Sequence, residues 1–500
     1  MQKRKISFGA VVTLIVLTAG GLGTAFGFGL IGNTPDFSQQ DLTTQKDILA
    51  PVTKTKIARP KNTSNLNYTQ IIQEGNSLLS KNQLDEALSS FQEAARVSQK
   101  ESLPYEKLGD IFSLKADFDK ASKSYEVAFA NNTKNRKLYI KEIRSLLNAR
   151  KISDAQTLIS KAQSKSPEIQ YLSALIDAFF NDQQKARDAF IAITQLSSTS
   201  EDSTDLTPLE TLKKNSLIFG KMYKTFELAK ESPLSYLQAL LAKNYDQIGE
   251  YGLAIETAFN GLKSQNDYRD VWVILGHSFL KTQRWADAED ALTKALALDQ
   301  QSSAAYMYRG ISRVHNKQVR DGIADFTQAL SLGYKPRVEV LLQLGDAYYI
   351  LGLTQKALEY YKQVLTADPE SLDLFKRPMS IALFTTSDTN VANDLINIAS
   401  NNFPNNATVF AWKTILLSRS GNLLDARNYL EKALVLDKQD IYVIVAQADL
   451  DLQVGNWSEA EASYKHVIEI SSSTEDVLVK QYAQQRIDQH NTNPSSLSLE

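Results

Sequence analysis

Residues 68–101 read YTQIIQEGNSLLSKNQLDEALSSFQEAARVSQKE. Ile71, Ile72, Gly75, Leu78 and Leu79 recur at helical spacing, Lys81-Asn82-Gln83 interrupts them, and Leu84, Ala87, Leu88, Phe91, Ala94 and Ala95 share one face of a second run. Two helices joined by so short a turn lie antiparallel. Gly75 and Ala87 fall where the helices cross, because only a small side chain lets the backbones approach closely, and Phe91 fills the space beside them.

The same unit returns along the chain. Ala87, Ala121 and Ala155 are 34 residues apart, and the rhythm resumes at Ala254, Ala288, Gly322, Ala357, Ala392, Ala426 and Ala460 with spacings of 34 or 35. Twelve residues before several of these lies a glycine: Gly75, Gly109, Gly276, Gly310 and Gly345. A fixed period of this length means a stack of supersecondary units rather than one globular core. Pro167, Pro369 and Pro404 are expected to close second helices, since a proline stops further winding.

The first-helix glycine, the second-helix alanine, the aromatic four residues later and the small residue three beyond resemble the tetratricopeptide repeat family over roughly residues 68–474. That resemblance implies an all-α, right-handed superhelical solenoid of about ten to twelve antiparallel helix pairs. It also implies a concave groove, lined by first helices, that takes a protein segment. Some members clamp a C-terminal carboxylate; Asn76 matches one such position, but the equivalent residue in the next unit is Asp110, which would repel that ligand.

Residues 1–5 carry Lys3, Arg4 and Lys5, and residues 6–31 follow without a charge. A bilayer core needs about 20 apolar residues in a helix, so the run is long enough to span it. No Lys or Arg follows until Lys46, which keeps the N-terminus in the cytoplasm and sends the repeats across. A cleaved signal peptide ending at Gly23-Thr24-Ala25, with secretion of the rest, is the alternative, and a buried soluble helix is a third reading. Residues 32–67 read as a flexible linker, broken by Pro35, Pro51 and Pro60 and mildly basic, suited to touch anionic lipid or a wall polymer.

Residues 68–196 form an N-terminal block and residues 235–474 a C-terminal one. Between them, residues 197–234 begin with an acidic, Ser/Thr-rich loop, and Thr207-Pro208-Leu209-Glu210 then resembles a capping box opening a helix with Leu212, Leu217, Ile218, Met222 and Phe226. The 68 residues from Ala186 to Ala254 are two periods, which leaves room for one degenerate repeat. Residues 475–500 hold a helix with Val477, Leu478, Tyr482 and Ile487 that would cap the solenoid, then a polar tail.

The composition excludes several functions. A net charge of −2 leaves no basic footprint for nucleic acid, and the absence of cysteine removes disulfides, thiolate metal sites and thiol catalysis. No two of His277, His315, His466 and His490 have the spacing of a zinc-binding helix pair, and no phosphate- or dinucleotide-binding glycine motif occurs. Asp117 and Asp119 sit at a turn, where Asp caps helices, and Asp449 and Asp451 point apart on one helix. The chain reads as a non-enzyme with no cofactor and no metal.

Counting from the repeat phase, the family's groove positions fall on Val273, His277, Met307, Ile311, Val314, Leu342, Asp346, Tyr349, Ile381, Phe384 and Ile415, with Arg377 nearby. An apolar groove with sparse polar anchors suits an extended or helical segment of a partner. The sequence therefore points to a single-pass scaffold of the cytoplasmic membrane, its repeats outside, gathering proteins of envelope assembly, secretion or appendage biogenesis. An exported or anchored glycan- or wall-binding module is the other reading.

Overall fold

A computed structural model of the chain describes residues 67–492 except 163–165, 198–205, 229–233, 368, 387–388 and 472–475. The expected membrane segment, almost all of the linker and the acidic loop lie outside the described residues. No described helix is long and apolar enough to cross a membrane.

Among the described residues there are 24 helices and no strand. In the N-terminal part, α1 (Tyr68–Ser80) pairs with α2 (Leu84–Val97), α3 (Ser102–Leu114) with α4 (Phe118–Asn131), α5 (Arg136–Asn148) with α6 (Ile152–Ser160), and α7 (Pro167–Phe179) with α8 (Gln183–Thr194). After the single helix α9 (Leu209–Leu228), α10 (Leu234–Gln247) pairs with α11 (Tyr251–Ser264), α12 (Arg269–Lys281) with α13 (Trp285–Leu298), and α14 (Ser303–His315) with α15 (Val319–Ser331). Then follow α16 (Arg337–Ile350) with α17 (Thr354–Ala367), α18 (Asp373–Phe384) with α19 (Thr389–Asn402), α20 (Ala407–Arg419) with α21 (Leu423–Leu436), and α22 (Ile441–Gln453) with α23 (Trp457–Ile470). Helix α24 (Val477–Thr492) ends the array.

The repeat is built as its spacing demands. A Cβ on Gly75 would come within 2.7 Å of the Phe91 ring, and one on Gly109 within 2.5 Å of Tyr125. The glycine's missing side chain is thus the seat of the aromatic residue rather than of the small residue itself. Ten of the described turns share a second regularity that hydropathy does not carry. Five residues before the small residue, the backbone is left-handed at Asn82, Ala116, Arg150, Asn181, Gly249, Gln283, Lys317, Gly352, Gly421 and Gly455. The next N–H donates to the carbonyl five residues back, as in Gln83 to Leu78 and Gln318 to Arg313, the bond that closes a helix C-terminus.

Two features depart from the expected layout. Pro167 opens α7 behind the N-cap Ser166 instead of closing α6, because the first helical position needs no N–H donor. The span expected to hold a degenerate repeat contains one helix of 20 residues, α9, packed on α7 and α8. Its buried face is Leu212, Phe219, Met222 and Tyr223, while Leu217 is exposed. Phe219 stacks on Phe190 of α8 at 4.5 Å and lies 5.5 Å from Tyr245 of α10. One hydrophobic core therefore runs from α5 through α9 to α11, and a second runs from α17 to α24.

Candidate functional site: the inner face of the first helices

The predicted groove residues divide into two groups. Met307, Ile381 and Ile415 are fully buried, and Asp346 and Val314 nearly so. Val273, His277, Ile311, Leu342, Tyr349, Arg377 and Phe384 keep partial exposure. The buried ones are taken up by core packing and by pairing within and between units.

Asp346 shows how. Its carboxylate accepts the Tyr361 hydroxyl at 2.5 Å and pairs with Arg377 Nε at 3.3 Å. Burial pushes this carboxyl above the usual range, and Arg377 pulls against that shift. The same arrangement occurs at Asp110, which accepts Tyr125 Oη at 2.8 Å and Lys141 Nζ at 2.8 Å. In both cases an acid follows the glycine, a tyrosine stands 15 residues on, and the cation comes 31 residues on from the next first helix. Asp110 is thus engaged in joining two units. Asp449 continues the series: it accepts Tyr464 Oη at 2.6 Å and pairs with Arg419 at 3.3 Å. Sequence reading missed this motif, though its signal, Asp then Tyr 15 residues later, stands in the chain three times.

Of the partly exposed residues, His277 stands among further rings. Its Nδ1 lies 2.9 Å from Asp246, whose carboxylate also accepts Ser278 Oγ at 2.7 Å. The His277 ring stands 4.8 Å from Tyr308 and 6.3 Å from Tyr251, and Tyr308 stands 6.4 Å from Tyr334. Tyr334 donates to Glu339 Oε2 at 3.2 Å. A strip of four rings flanked by Asp246 and Glu339 therefore crosses α11, α12, α14 and the start of α16. Only His277 of these residues was legible beforehand; the tyrosines lie off the expected groove positions.

The other rings serve packing. His315 stacks on Trp285 at 3.8 Å, and burial lowers its pKa to about 4. His490 stacks on Trp457 at 3.6 Å. Asp117 caps α4 by accepting from the Lys120 N–H at 3.2 Å.

Family models described as tetratricopeptide repeat match residues 273–330 and 338–371. The matched residues are tetratricopeptide repeats. These repeats point to a protein-interaction scaffold. A comparison with curated proteins finds no match. Solved structures similar to this chain include yeast Tom70, at 15% identity and TM-score 0.31, covering 86% of this chain and 98% of that one. Another is Pseudomonas aeruginosa pilF, at 16% identity and TM-score 0.31, covering 51% and 97%. A third is YrrB, titled a TPR protein with an unusual peptide-binding site, at 15% identity and TM-score 0.32, covering 38% and 97%.

Proposed function

We propose that this tetratricopeptide protein is a membrane-tethered scaffold that holds a segment of a partner protein along the inner face of α12, α14 and α16. The observation that carries the reading is the ring strip Tyr251–His277–Tyr308–Tyr334 beside the half-buried Val273, Ile311 and Leu342. Flat rings give large apolar contact at small entropic cost, and Asp246 and Glu339 supply fixed acceptors. Together they suit an extended or helical segment bearing apolar and basic side chains. The tether is residues 6–31, with the repeats outside the cytoplasmic membrane and a role in envelope assembly, secretion or appendage biogenesis. The basic residues 46–61 would lie near anionic headgroups or wall polymer. We propose no catalytic role.

A glycan-binding module is the second reading, because rings beside carboxylates are also what a carbohydrate groove presents. In-cell photo-crosslinking from Ile311 in the full-length chain separates them. A discrete protein adduct is expected. Smeared glycan adducts would favour the second reading, and no adduct from folded protein would remove this face from consideration. Protease shaving of intact cells tests the topology: repeats protected until lysis would overturn it, and a mature N-terminus near Phe26 would replace the tether by a cleaved signal.

A further inference from the structure

The last helix does more than cover the end of the stack. Helix α24 packs on α22 and α23, as a next rung would, but it also reaches α18, three units upstream. The contact is made by Tyr482. Its ring stacks on Phe384 of α18 at 4.6 Å, and the Arg419 guanidinium of α20 lies 5.0 Å from the same ring. Its hydroxyl donates to Asp449 of α22 at 2.8 Å and accepts from Arg486 Nε, one turn along α24, at 3.0 Å. Phe384, predicted as a groove residue, is therefore a wall of an occupied site.

One observation separates α24 from an ordinary rung. Following Asp110 and Asp346, the cation at the acid's +31 position ties one unit to the next; at Asp449 that position is Lys480, while Tyr482 takes the carboxylate. Helix α24 buries Val479, Tyr482, Ala483 and Ile487 of its 16 residues, against three of 14 in each of α21 and α23. The site's other contacts do not involve α24: Asp449 has Tyr464 and Arg419, and Arg419 lies 5.6 Å from the Phe384 ring and bonds to the Leu383 carbonyl.

We propose that the inner face of α18, α20 and α22 is a receptor site for a helix carrying tyrosine and, one turn later, arginine, and that α24 is its built-in occupant. A partner helix with the same pair displaces α24 and opens the C-terminal end of the groove. The inference rests on reading the array as a binder of protein segments, and it commits to this one helical motif.

Hydrogen exchange of the full-length protein comes first. Amides of α24 should exchange by local opening about a hundredfold faster than those of α22. Equal protection would make α24 an integral rung and overturn the proposal. A labelled peptide of residues 476–492 is then titrated into the wild-type and Tyr482→Ala full-length chains. The variant should bind it about tenfold more tightly than wild type, because the competing internal occupant is weakened. A peptide carrying Tyr482→Ala should not bind. No gain in binding by a variant whose α22 stays protected, or loss of that protection, would overturn the proposal. Either failure leaves the Ile311 crosslinking result untouched.

Discussion

Lys317 sits at φ 65° in the turn between α14 and α15, in a conformation that costs a side-chain-bearing residue about 1 kcal/mol relative to glycine. Gly352 holds the equivalent turn of the next unit with open space around its missing Cβ. Lys317→Gly should therefore raise stability by about 0.5–1 kcal/mol and Gly352→Ala should lower it by a similar amount, read as opposite shifts of the urea midpoint. Turn residues of this kind were half legible: the break at Lys81-Asn82-Gln83 is visible, but arginine, glutamine and lysine at the left-handed position carry no signal, because the closing bond selects backbone and not side chain. Glu142 of α5 is a separate case. Burial first, then the neighbouring Glu126, raise its carboxyl to about 7. A raised folded-state value contributes stability that is full below about 4.5 and is lost as pH rises through 7. Glu142→Gln should thus stabilise the protein at pH 8, by at most about 3 kcal/mol, and change little at pH 4. Thermal melts of both forms at the two pH values check the sign.

At the scale of the element, α9 is what the period could not describe. Repeating units announce themselves because each solves the same packing problem with the same residues, so Gly75/Phe91 predicts Gly109/Tyr125. A helix that occurs once has no second copy to be recognised by, and its apolar residues admitted two faces. The sequence places Leu217 and Ile218 on one helix with Leu212 and Met222, yet the structure buries Leu212, Phe219, Met222 and Tyr223 because Phe190 and Tyr245 supply rings for Phe219. The Tyr245 hydroxyl, donating to the Leu175 carbonyl at 2.7 Å, locks α10 to α7 across the same core. Phe219→Ala removes a fully buried ring shared by α8 and α10, at a cost of about 3–5 kcal/mol. Hydrogen exchange should quicken in both helices together, while α20 to α23, in a different core, keep their protection. Loosening of α9 alone would mean that it is a surface insertion after all. The inner-face site was legible in a similar measure: the repeat phase located its helices, but side-chain reach decided which positions stay open, and His277 kept partial exposure where Met307 did not.

For the molecule as a whole, the decisive contact joins residues 106 positions apart. Arg144 of α5 donates through Nε and Nη2 to the buried Glu168 of α7 and through Nη1 to Glu250 before α11. Glu168 is further held by the N–H groups of Leu206 and Thr207 at the approach to α9. Next to this network α11 meets α5 at backbone distance: a Cβ on Gly252 would lie 1.9 Å from the Leu147 carbonyl oxygen. Arg150 pairs with Glu256 at 2.5 Å on the same seam. No periodicity predicts such pairing, since it joins units that are not neighbours in the repeat order. It nevertheless turns two expected blocks into one body at this point. Two carboxylates sharing one guanidinium are stable only while it is present, and removing it leaves both charges buried and uncompensated, at about 3–5 kcal/mol. Arg144→Met should therefore open the seam, swing α1 to α6 away from α11 and enlarge the radius of gyration seen by small-angle scattering, with helical content retained. The triple variant Arg144→Met, Glu168→Leu, Glu250→Leu replaces the network by apolar groups of similar size and should restore much of the wild-type dimension. If the single variant scatters like wild type, the α5–α11 backbone contact and the Arg150–Glu256 pair hold the seam, and the Arg144 network serves only to anchor the entry to α9.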